Sequence, residues 1–473
     1  MKIAAVLDIC VILISCAVHG QNCCVSDLEI SVSPKSYFEQ DSGATYLAMY
    51  PYAVKVKQTI DIGGLCRADT LKFYMENPSG WNVPFLGLFF HDVSVTETVG
   101  DVSTVSDGWT FDGETMRIPL SPTMPDYVSI EYYYQSDFNF WNHYESLLFF
   151  QPQIYGWQSW YFSAPDMYWG KVEFRQCSDA LLFCGERKCG TRTDDHDLSF
   201  YALDPQYYDR FTVGSGKVSV ECLLNKGVCR TTVCDTVTRD TINMFFPGDR
   251  VDSIGIERKL GRVQEMLERI GDIFPRTDSM RITVADAYLF QTDSHGGKYY
   301  WGHSMMCDNG NRFIAIDTTF WHTHGLAHEL IHAFNTVVPD KTDKEYAFFA
   351  ESMTEYLAVC VAYSEPAQRD KVFLDKVSIG GCVKEKSVFS LTDNSVYAAT
   401  DSGESAAYVI YNRVPYEIHR FAVAVGEDEF LAVMRIFYGN VKASGRCRFG
   451  NLKTVVLDQG IDEALWLDFK SRL

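Results

Sequence analysis

The feature that most constrains this chain is the pentad His328-Glu329-Leu330-Ile331-His332. On an α-helix, the spacing of four residues places the two imidazoles on one face, one turn apart, where they can bind one metal ion. Glu329 lies one position along, where its carboxylate suits a general base that activates water. A catalytic zinc ion takes three protein ligands and keeps one open position. The fold must therefore pack this helix against a second element that completes the site.

Glu351 is the predicted third ligand. It lies in an apolar helical segment, residues 347–358, that can pack on the first helix, and a carboxylate there would be costly unless it met a cation. Glu355 follows one turn later, where it either accepts a hydrogen bond from a ligating histidine or is solvated at the surface. His324, four residues before His328, is an alternative ligand, although that choice leaves Glu351 unexplained.

The length of 473 residues predicts two domains. Residues 21–250 contain short runs rich in Val, Tyr and Phe between turn-forming residues, which predicts a β-rich N-terminal domain. Helical patterns dominate residues 251–473, beginning with a helix over Glu257–Ile270 that ends at Gly271. Strands are expected at Met280–Ala285 and Arg312–Ile316. The predicted class is α+β.

The first twenty residues predict a secretory signal. Lys2 precedes an apolar run that ends near Gly20, although Asp8 interrupts the run and a buried N-terminal helix is the alternative. No later stretch is apolar enough to span a bilayer. The formal net charge of −20 argues against a nucleic acid partner. We therefore expect a secreted, extracellular protein without a membrane span or a nucleic acid partner, and its oligomeric state is open.

Cysteine content agrees with export. The chain has 15 cysteines, two of them within the signal segment, and the remaining thirteen predict disulfides with at least one unpaired thiol. Cys360 is the candidate for that thiol because it lies in an apolar helical run. Two triplets share one spacing and predict two disulfide-tied hairpins in the N-terminal domain. They are Cys177, Cys184 and Cys189, and Cys222, Cys229 and Cys234.

The sequence around the pentad resembles the gluzincin zinc metallopeptidases, specifically the aminopeptidase N and leukotriene hydrolase family, with some likeness to glycyl aminopeptidases. That family has eighteen residues between the pentad and a ligand glutamate, as lie between His332 and Glu351 here. The resemblance covers roughly residues 251–473. It implies a thermolysin-like zinc peptidase domain with a mainly helical C-terminal part and one Zn²⁺ per chain bound by His328, His332 and Glu351. It also implies hydrolysis of peptide bonds in a peptide or protein substrate, with Glu329 as the base.

The family also places a tyrosine, often in a Pro-Tyr-Glu context, downstream of the ligand glutamate. Pro415-Tyr416-Glu417 fits that pattern. The resemblance implies that the Tyr416 hydroxyl donates to the oxyanion that develops on the substrate carbonyl. Tyr411 and Tyr408 are the alternatives.

One family motif is missing. Aminopeptidases of this family carry Gly-x-Met-Glu-Asn, whose glutamate binds the free amine of the substrate, but no glutamate occurs between Glu268 and Glu329. Asp308, beside Asn309, is the candidate substitute for substrate binding. We therefore expect an enzyme that is not a strict exopeptidase. The alternative is a secreted, non-catalytic binding protein on a peptidase scaffold.

Overall fold

In the computed structural model of the protein, the described residues are 24–33, 53–62, 70–74, 90–111, 115–134, 153–156, 162, 167–175, 181–184, 200–203, 205, 208–225, 232–234, 241–243, 253–274, 278–286, 290–292, 298–300, 302–306, 311–316, 321, 323–340, 342–378, 387–391 and 406–473. The predicted signal segment, residues 1–20, lies outside them.

Strands dominate the first half of the chain, and a second set follows the first long helix. In chain order they are β1 (Cys24–Ser33), β2 (Ala53–Asp61), β3 (Thr70–Tyr74), β4 (Phe90–Val99), β5 (Val102–Val105), β6 (Thr110–Phe111), β7 (Thr115–Pro119), β8 (Tyr127–Tyr134), β9 (Gln153–Gly156), β10 (Met167–Arg175), β11 (Leu181–Cys184), β12 (Phe200–Leu203), β13 (Tyr208–Ser215), β14 (Val218–Asn225), β15 (Thr232–Cys234), β16 (Thr241–Asn243), β17 (Met280–Asp286), β18 (Phe290–Thr292), β19 (Lys298–Tyr300), β20 (His303–Met306) and β21 (Arg312–Ile316).

Helices dominate the second half. They are α1 (Ser253–Ile273), α2 (His324–Phe334), a first π-helix (Ala347–Ser352) that continues as α3 (Met353–Ala362), α4 (Pro366–Ser378), a 3-10 turn (Val388–Ser390), α5 (Ala406–Tyr408) with a second π-helix (Val409–Arg413), α6 (Val414–Val425), α7 (Glu427–Ser444), α8 (Phe449–Asp458) and α9 (Glu463–Ser471). The predicted α+β class, with a β-rich first half and a mainly helical C-terminal part, is confirmed.

A six-stranded sheet forms the centre of the first half, in the order β10-β1-β2-β8-β4-β5. β1 and β10 pair in parallel, and the other neighbours are antiparallel. Along β8 the side chains of Val128, Ile130 and Tyr132 are buried in alternation with more accessible ones, which is the period of two of a half-buried strand. Phe162 and Trp169 belong to the same core. The core of this sheet is therefore rich in aromatic side chains.

A second, five-stranded sheet lies beneath the candidate site, in the order β13-β14-β17-β21-β20. β14, β17 and β21 run parallel, and β20 closes one edge in the antiparallel sense. β17 is buried along almost its whole length, as expected of a parallel strand between two neighbours. Both predicted strands of this region, at Met280–Ala285 and Arg312–Ile316, are confirmed.

The position of β13 and β14 corrects one part of the predicted domain division. The sequence pattern places residues 208–225 in the N-terminal domain, but β14 pairs with β17 in the five-stranded sheet. Val220 and Leu224 of β14 also pack in the hydrophobic core that contains α1 and α2. Strand pairing joins residues far apart in sequence, and local patterns do not encode it. The boundary near residue 250 otherwise stays a prediction.

The thiols of three cysteines are buried and form no disulfide among the described residues. Cys360 on α3 is one of them, as predicted, and Cys222 and Cys447 are the others. The prediction that Cys222 belongs to a disulfide-tied hairpin is therefore wrong, because its side chain points into the core from β14. Of the other predicted hairpin cysteines, Cys184 and Cys234 lie on β11 and β15, and the rest fall outside the described residues.

Within the described part of the chain, every helix is too short or too polar to cross a membrane.

Candidate metal centre

Helix α2 carries the pentad and is fixed at both ends. The Thr323 side chain caps the first turn by accepting a hydrogen bond from the backbone N–H of Gly325. At the other end, the Asn335 N–H donates to the Ile331 carbonyl. Leu326, Leu330 and other residues of the helix are buried in the core, so α2 is held against the five-stranded sheet. The prediction that the pentad lies on a helix is confirmed.

Three donor atoms converge beside α2. The Nε2 atoms of His328 and His332 are 3.0 Å apart, and Oε2 of Glu351 lies 3.4 Å from the first and 3.7 Å from the second. Donors about 2.0–2.2 Å from a tetrahedral zinc ion are separated by roughly 3.3–3.6 Å. The three side chains form a group that could hold a metal ion, and their spacing fits zinc after small adjustments.

The charge of the surrounding cluster also fits a divalent cation. Glu329, Glu351 and Glu355 place three carboxylates around the histidines, and the ammonium of Lys376 lies 2.5 Å from Glu355 Oε1. With neutral histidines these four groups carry three negative charges and one positive charge. Buried charges need partners. A bound Zn²⁺ would supply the two positive charges that balance the cluster.

His328, His332 and Glu351 are called the triad. Their pKa values also favour a cation at this position. Burial lowers the pKa of His328, but hydrogen bonds and charges from Glu351 and Glu355 outweigh it and raise the pKa to about 10. Burial lowers the pKa of His332 to about 4, with Glu351 opposing and His328 reinforcing the change. Burial raises the pKa of Glu351, yet His332 and His328 bring it down to about 2. In the metal-free protein, therefore, a proton on His328 takes the place of a cation.

Glu355 lies behind His328 rather than at the surface. Its side chain is buried, and Oε2 lies 2.7 Å from His328 Nδ1. This contact directs the opposite nitrogen, Nε2, toward the triad and makes the imidazole a better ligand. The solvated-surface alternative for Glu355 is wrong. His324 Nε2 is 3.4 Å from the other oxygen of Glu355 and is not a member of the converging group, which favours Glu351 over His324 as the third ligand.

Glu329 is buried beside the triad, and its side chain lies against Gly302, the residue before β20. A Cβ atom built on Gly302 would lie 2.6 Å from Glu329 Cγ, so only glycine fits there without displacing the carboxylate. Burial raises the pKa of Glu329 to about 7, although His328 and a hydrogen bond with Ser304 act in the opposite direction. A carboxylate with a pKa near neutrality exchanges protons readily at physiological pH.

Both π-helices contribute to the site. Glu351 lies in the first and Tyr411 in the second, and the Tyr411 hydroxyl donates to Glu351 Oε2 at 2.9 Å. The Ser352 hydroxyl donates to the Ile410 carbonyl at 2.8 Å, which joins the two π-helices directly. Short π-helical turns inside α-helices occur often at functional sites.

No protein-family model matches the chain, and no curated protein matches it. Solved structures do match. The aminopeptidase N family protein from Idiomarina loihiensis is 12% identical, with a TM-score of 0.53 over 94% of this chain and 75% of that one. The chain therefore has the aminopeptidase N fold. Weaker matches are an M1 zinc metallopeptidase from Deinococcus radiodurans, 14% identical with a TM-score of 0.44 over 96% and 95%, and yeast LTA4 hydrolase with bestatin, 11% identical with a TM-score of 0.42 over 93% and 65%.

Within this aminopeptidase N fold, the motif tyrosine lies beside a cationic side chain. Tyr416 is half-buried, and the guanidinium carbon of Arg420 lies 6.0 Å from its ring centroid. Tyr411, one of the two alternatives, holds the position beside Glu351. The other alternative, Tyr408, donates to the Val377 carbonyl at 3.4 Å. The hydroxyl that donates to the predicted ligand Glu351 is therefore that of Tyr411, and the role of Tyr416 stays a prediction.

Asp308 lies outside the described residues, and its role in substrate binding stays a prediction. Three residues that sequence reasoning did not select also surround the site, namely Gly302, Ser304 and Lys376. Gly302 lies directly before β20, and an isolated glycine at a strand often marks the close approach of another group. This was the only sequence signal for any of the three residues. Lys376 lies on α4, which the sequence did not predict.

Proposed function

We propose that this protein is a secreted zinc-dependent peptidase in which His328, His332 and Glu351 bind the metal and Glu329 is the general base. The observation that supports the proposal most strongly is the convergence of three donor atoms within 3.0–3.7 Å, next to a buried glutamate on the same helix. When bound, zinc supplies a Lewis acid that makes water more acidic and withdraws electrons from a carbonyl group.

Glu329 provides the proton-transfer step. Its carboxylate is positioned by α2 and by Gly302, and its pKa of about 7 suits it to accept a proton from the attacking water. The same group then delivers the proton to the leaving amine, which restores the carboxylate. Water adds to the scissile carbonyl carbon, the C–N bond breaks, and the products are a carboxylate and an amine.

A tyrosine hydroxyl stabilises the negative charge on the carbonyl oxygen. Tyr411 is the better placed candidate because its hydroxyl lies at the triad, whereas Tyr416 is supported only by its motif. A neutral O–H donor that is already oriented costs no reorganisation when charge develops. The substrate oxygen would then replace Glu351 as acceptor of this hydrogen bond.

The edge strand supports a peptide as substrate. Among the described residues, β20 pairs on one side only, with β21, and it follows directly after Gly302 at the general base. An extended peptide can add to such an edge through main-chain hydrogen bonds. Export is proposed from the composition of residues 1–20. No glutamate occurs between Glu268 and Glu329, where the resembled family has the one that binds the substrate amine. This supports the further proposal that peptides with blocked N-termini are cleaved.

Zinc content and peptide cleavage, measured together, test the proposal. The full chain should hold one zinc ion and cleave members of a diverse peptide library, with products identified by mass spectrometry. Glu329→Gln should keep the zinc and lose at least about 100-fold in turnover, because it removes the base and preserves the shape. Glu257→Gln, at an exposed position on α1, is the matched control and should behave as wild type. Zinc binding without any cleavage would instead favour a non-catalytic binding protein.

A further inference from the structure

Lys376 is a cation enclosed near the metal centre that the mechanism does not use. Its side chain is 16% exposed, and its ammonium contacts two oxygens from different elements. One is Oε1 of Glu355 on α3, at 2.5 Å, and the other is the backbone carbonyl of Tyr411 in the second π-helix, at 3.3 Å. The ammonium therefore joins α4 to both elements.

Each of these partners supports a different metal ligand. Glu355 uses its second oxygen, Oε2, to hold His328 at 2.7 Å. Tyr411 uses its hydroxyl to hold Glu351 at 2.9 Å. Lys376 thus stands one residue away from two of the three predicted ligands, His328 and Glu351.

We propose that Lys376 is a positioning residue for the metal centre, which fixes Glu355 behind His328 and holds Tyr411 beside Glu351. This inference rests on the proposed function, because it assumes that the triad binds zinc. Its expected effect is on the affinity for the metal, and on turnover through the placement of Tyr411.

The cost of an unpaired buried carboxylate supports this role. Glu355 is 5% exposed, and Lys376 is the only lysine or arginine in the described part of the chain that forms a salt bridge with it. His324 also approaches Glu355, but burial lowers the pKa of His324, so that imidazole is neutral at physiological pH. Without Lys376, Glu355 would shift to find water or another donor, and its hydrogen bond to His328 would weaken.

Simple electrostatics predicts that removing the Lys376 charge strengthens zinc binding, whereas a positioning role predicts that it weakens zinc binding. An ammonium near a divalent ion repels it, so removal of the charge alone would tighten zinc binding. Loss of an outer hydrogen-bond partner weakens metal binding by about 10- to 100-fold in comparable sites. The direction of the change therefore separates a positioning role from a field effect.

The experiment measures zinc affinity by competition with a chromophoric chelator, for wild type, Lys376→Met and Lys376→Arg. Lys376→Met should bind zinc about 10- to 100-fold more weakly. Lys376→Arg, which keeps a cationic donor, should recover most of the affinity. Lys371→Met, an exposed lysine on the same helix, is the matched control and should equal wild type. Circular dichroism of the metal-free proteins checks that each variant folds, and Lys376→Gln replaces Lys376→Met if the latter does not.

A second comparison shows whether Lys376 acts through Glu355. In a Glu355→Gln background, adding Lys376→Met should change zinc affinity by less than about twofold, because the supported carboxylate is already gone. Unchanged or tighter binding by Lys376→Met alone, or an equal loss in both backgrounds, would overturn the positioning role. If the wild-type protein binds no zinc, the proposed function itself fails. If the wild-type protein binds zinc and Lys376→Met binds it equally tightly, the proposed function stands and the positioning role of Lys376 is wrong.

Discussion

Replacing Gly302 with alanine should disable the general base while leaving the metal ligands in place. The new Cβ would lie 2.6 Å from Glu329 Cγ and 3.0 Å from Ile316 Cδ1. Non-bonded carbons sit at about 3.5–4.0 Å, so the middle of the Glu329 side chain must move by about 1 Å. Misplacement of about 1 Å lowers the rate of an enzyme by about 100-fold, and overpacking of this kind costs about 1–3 kcal/mol of stability.

Two measurements check this prediction. Turnover of Gly302→Ala on a peptide substrate should fall by about 100-fold with zinc content unchanged. Its loss of unfolding free energy, measured by denaturant titration of the metal-free protein, should largely disappear in a Glu329→Ala background, because alanine has no Cγ to collide with. Normal turnover of Gly302→Ala would refute the packing argument, and so would an equal stability loss in both backgrounds.

Three further predictions concern the ligands and the substrate. Tyr411→Phe should lower turnover by about 100-fold or more with little change in substrate binding, whereas Tyr416→Phe should have a small effect; the reverse order in steady-state kinetics would favour the motif over the geometry. Zinc must displace the proton on His328, because burial lowers the pKa of this imidazole but Glu351 and Glu355 outweigh burial and raise the pKa to about 10. Zinc affinity, measured by chelator titration, should therefore increase about tenfold from pH 8 to pH 9. An affinity that does not change with pH would contradict this prediction. A peptide and its N-acetylated twin should be cleaved at similar rates, and a large loss on acetylation would show a strict aminopeptidase.

The sequence predicted the metal helix closely because local signals agree there. Thr323 is a good N-cap, the apolar residues follow the helical period, and two ligands must share a face. The buried parallel strands β17 and β21 were equally clear, since each is a short apolar run. Glu351 followed from the cost of a carboxylate in an apolar helix and from the family resemblance, and its place in the converging group agrees with both arguments.

Helix limits were less well predicted where glycine occurs inside a helix. The first helix was expected to stop at Gly271, but α1 continues to Ile273, and the buried side chains of Ile273 and Phe274 extend its apolar face. Burial of such residues outweighs the cost of about 1 kcal/mol for a helical glycine.

Helix α4 escaped prediction because it has almost no apolar stripe. Only Arg369 and Phe373 are buried along its length, so its pattern looks like a solvated segment. Arg369 is held by Glu427 on α7, at 2.6 Å, and such a contact between distant residues is invisible to a local pattern. Lys376, which the same helix delivers to the metal centre, was missed for the same reason.

In evolutionary terms, the two π-helices make this site sensitive to the length of the chain. A π-turn holds about one residue more than an α-turn, and each residue of an α-helix turns the direction of the side chain by about 100°. Deleting one residue between 347 and 350 would allow an ordinary α-helix, but it would turn Glu351 and Glu355, which now reach His328 from two sides, by about 100° relative to the residues before the deletion. Insertions and deletions should therefore be tolerated poorly in these two short segments, even where the helix they leave behind is the more stable one.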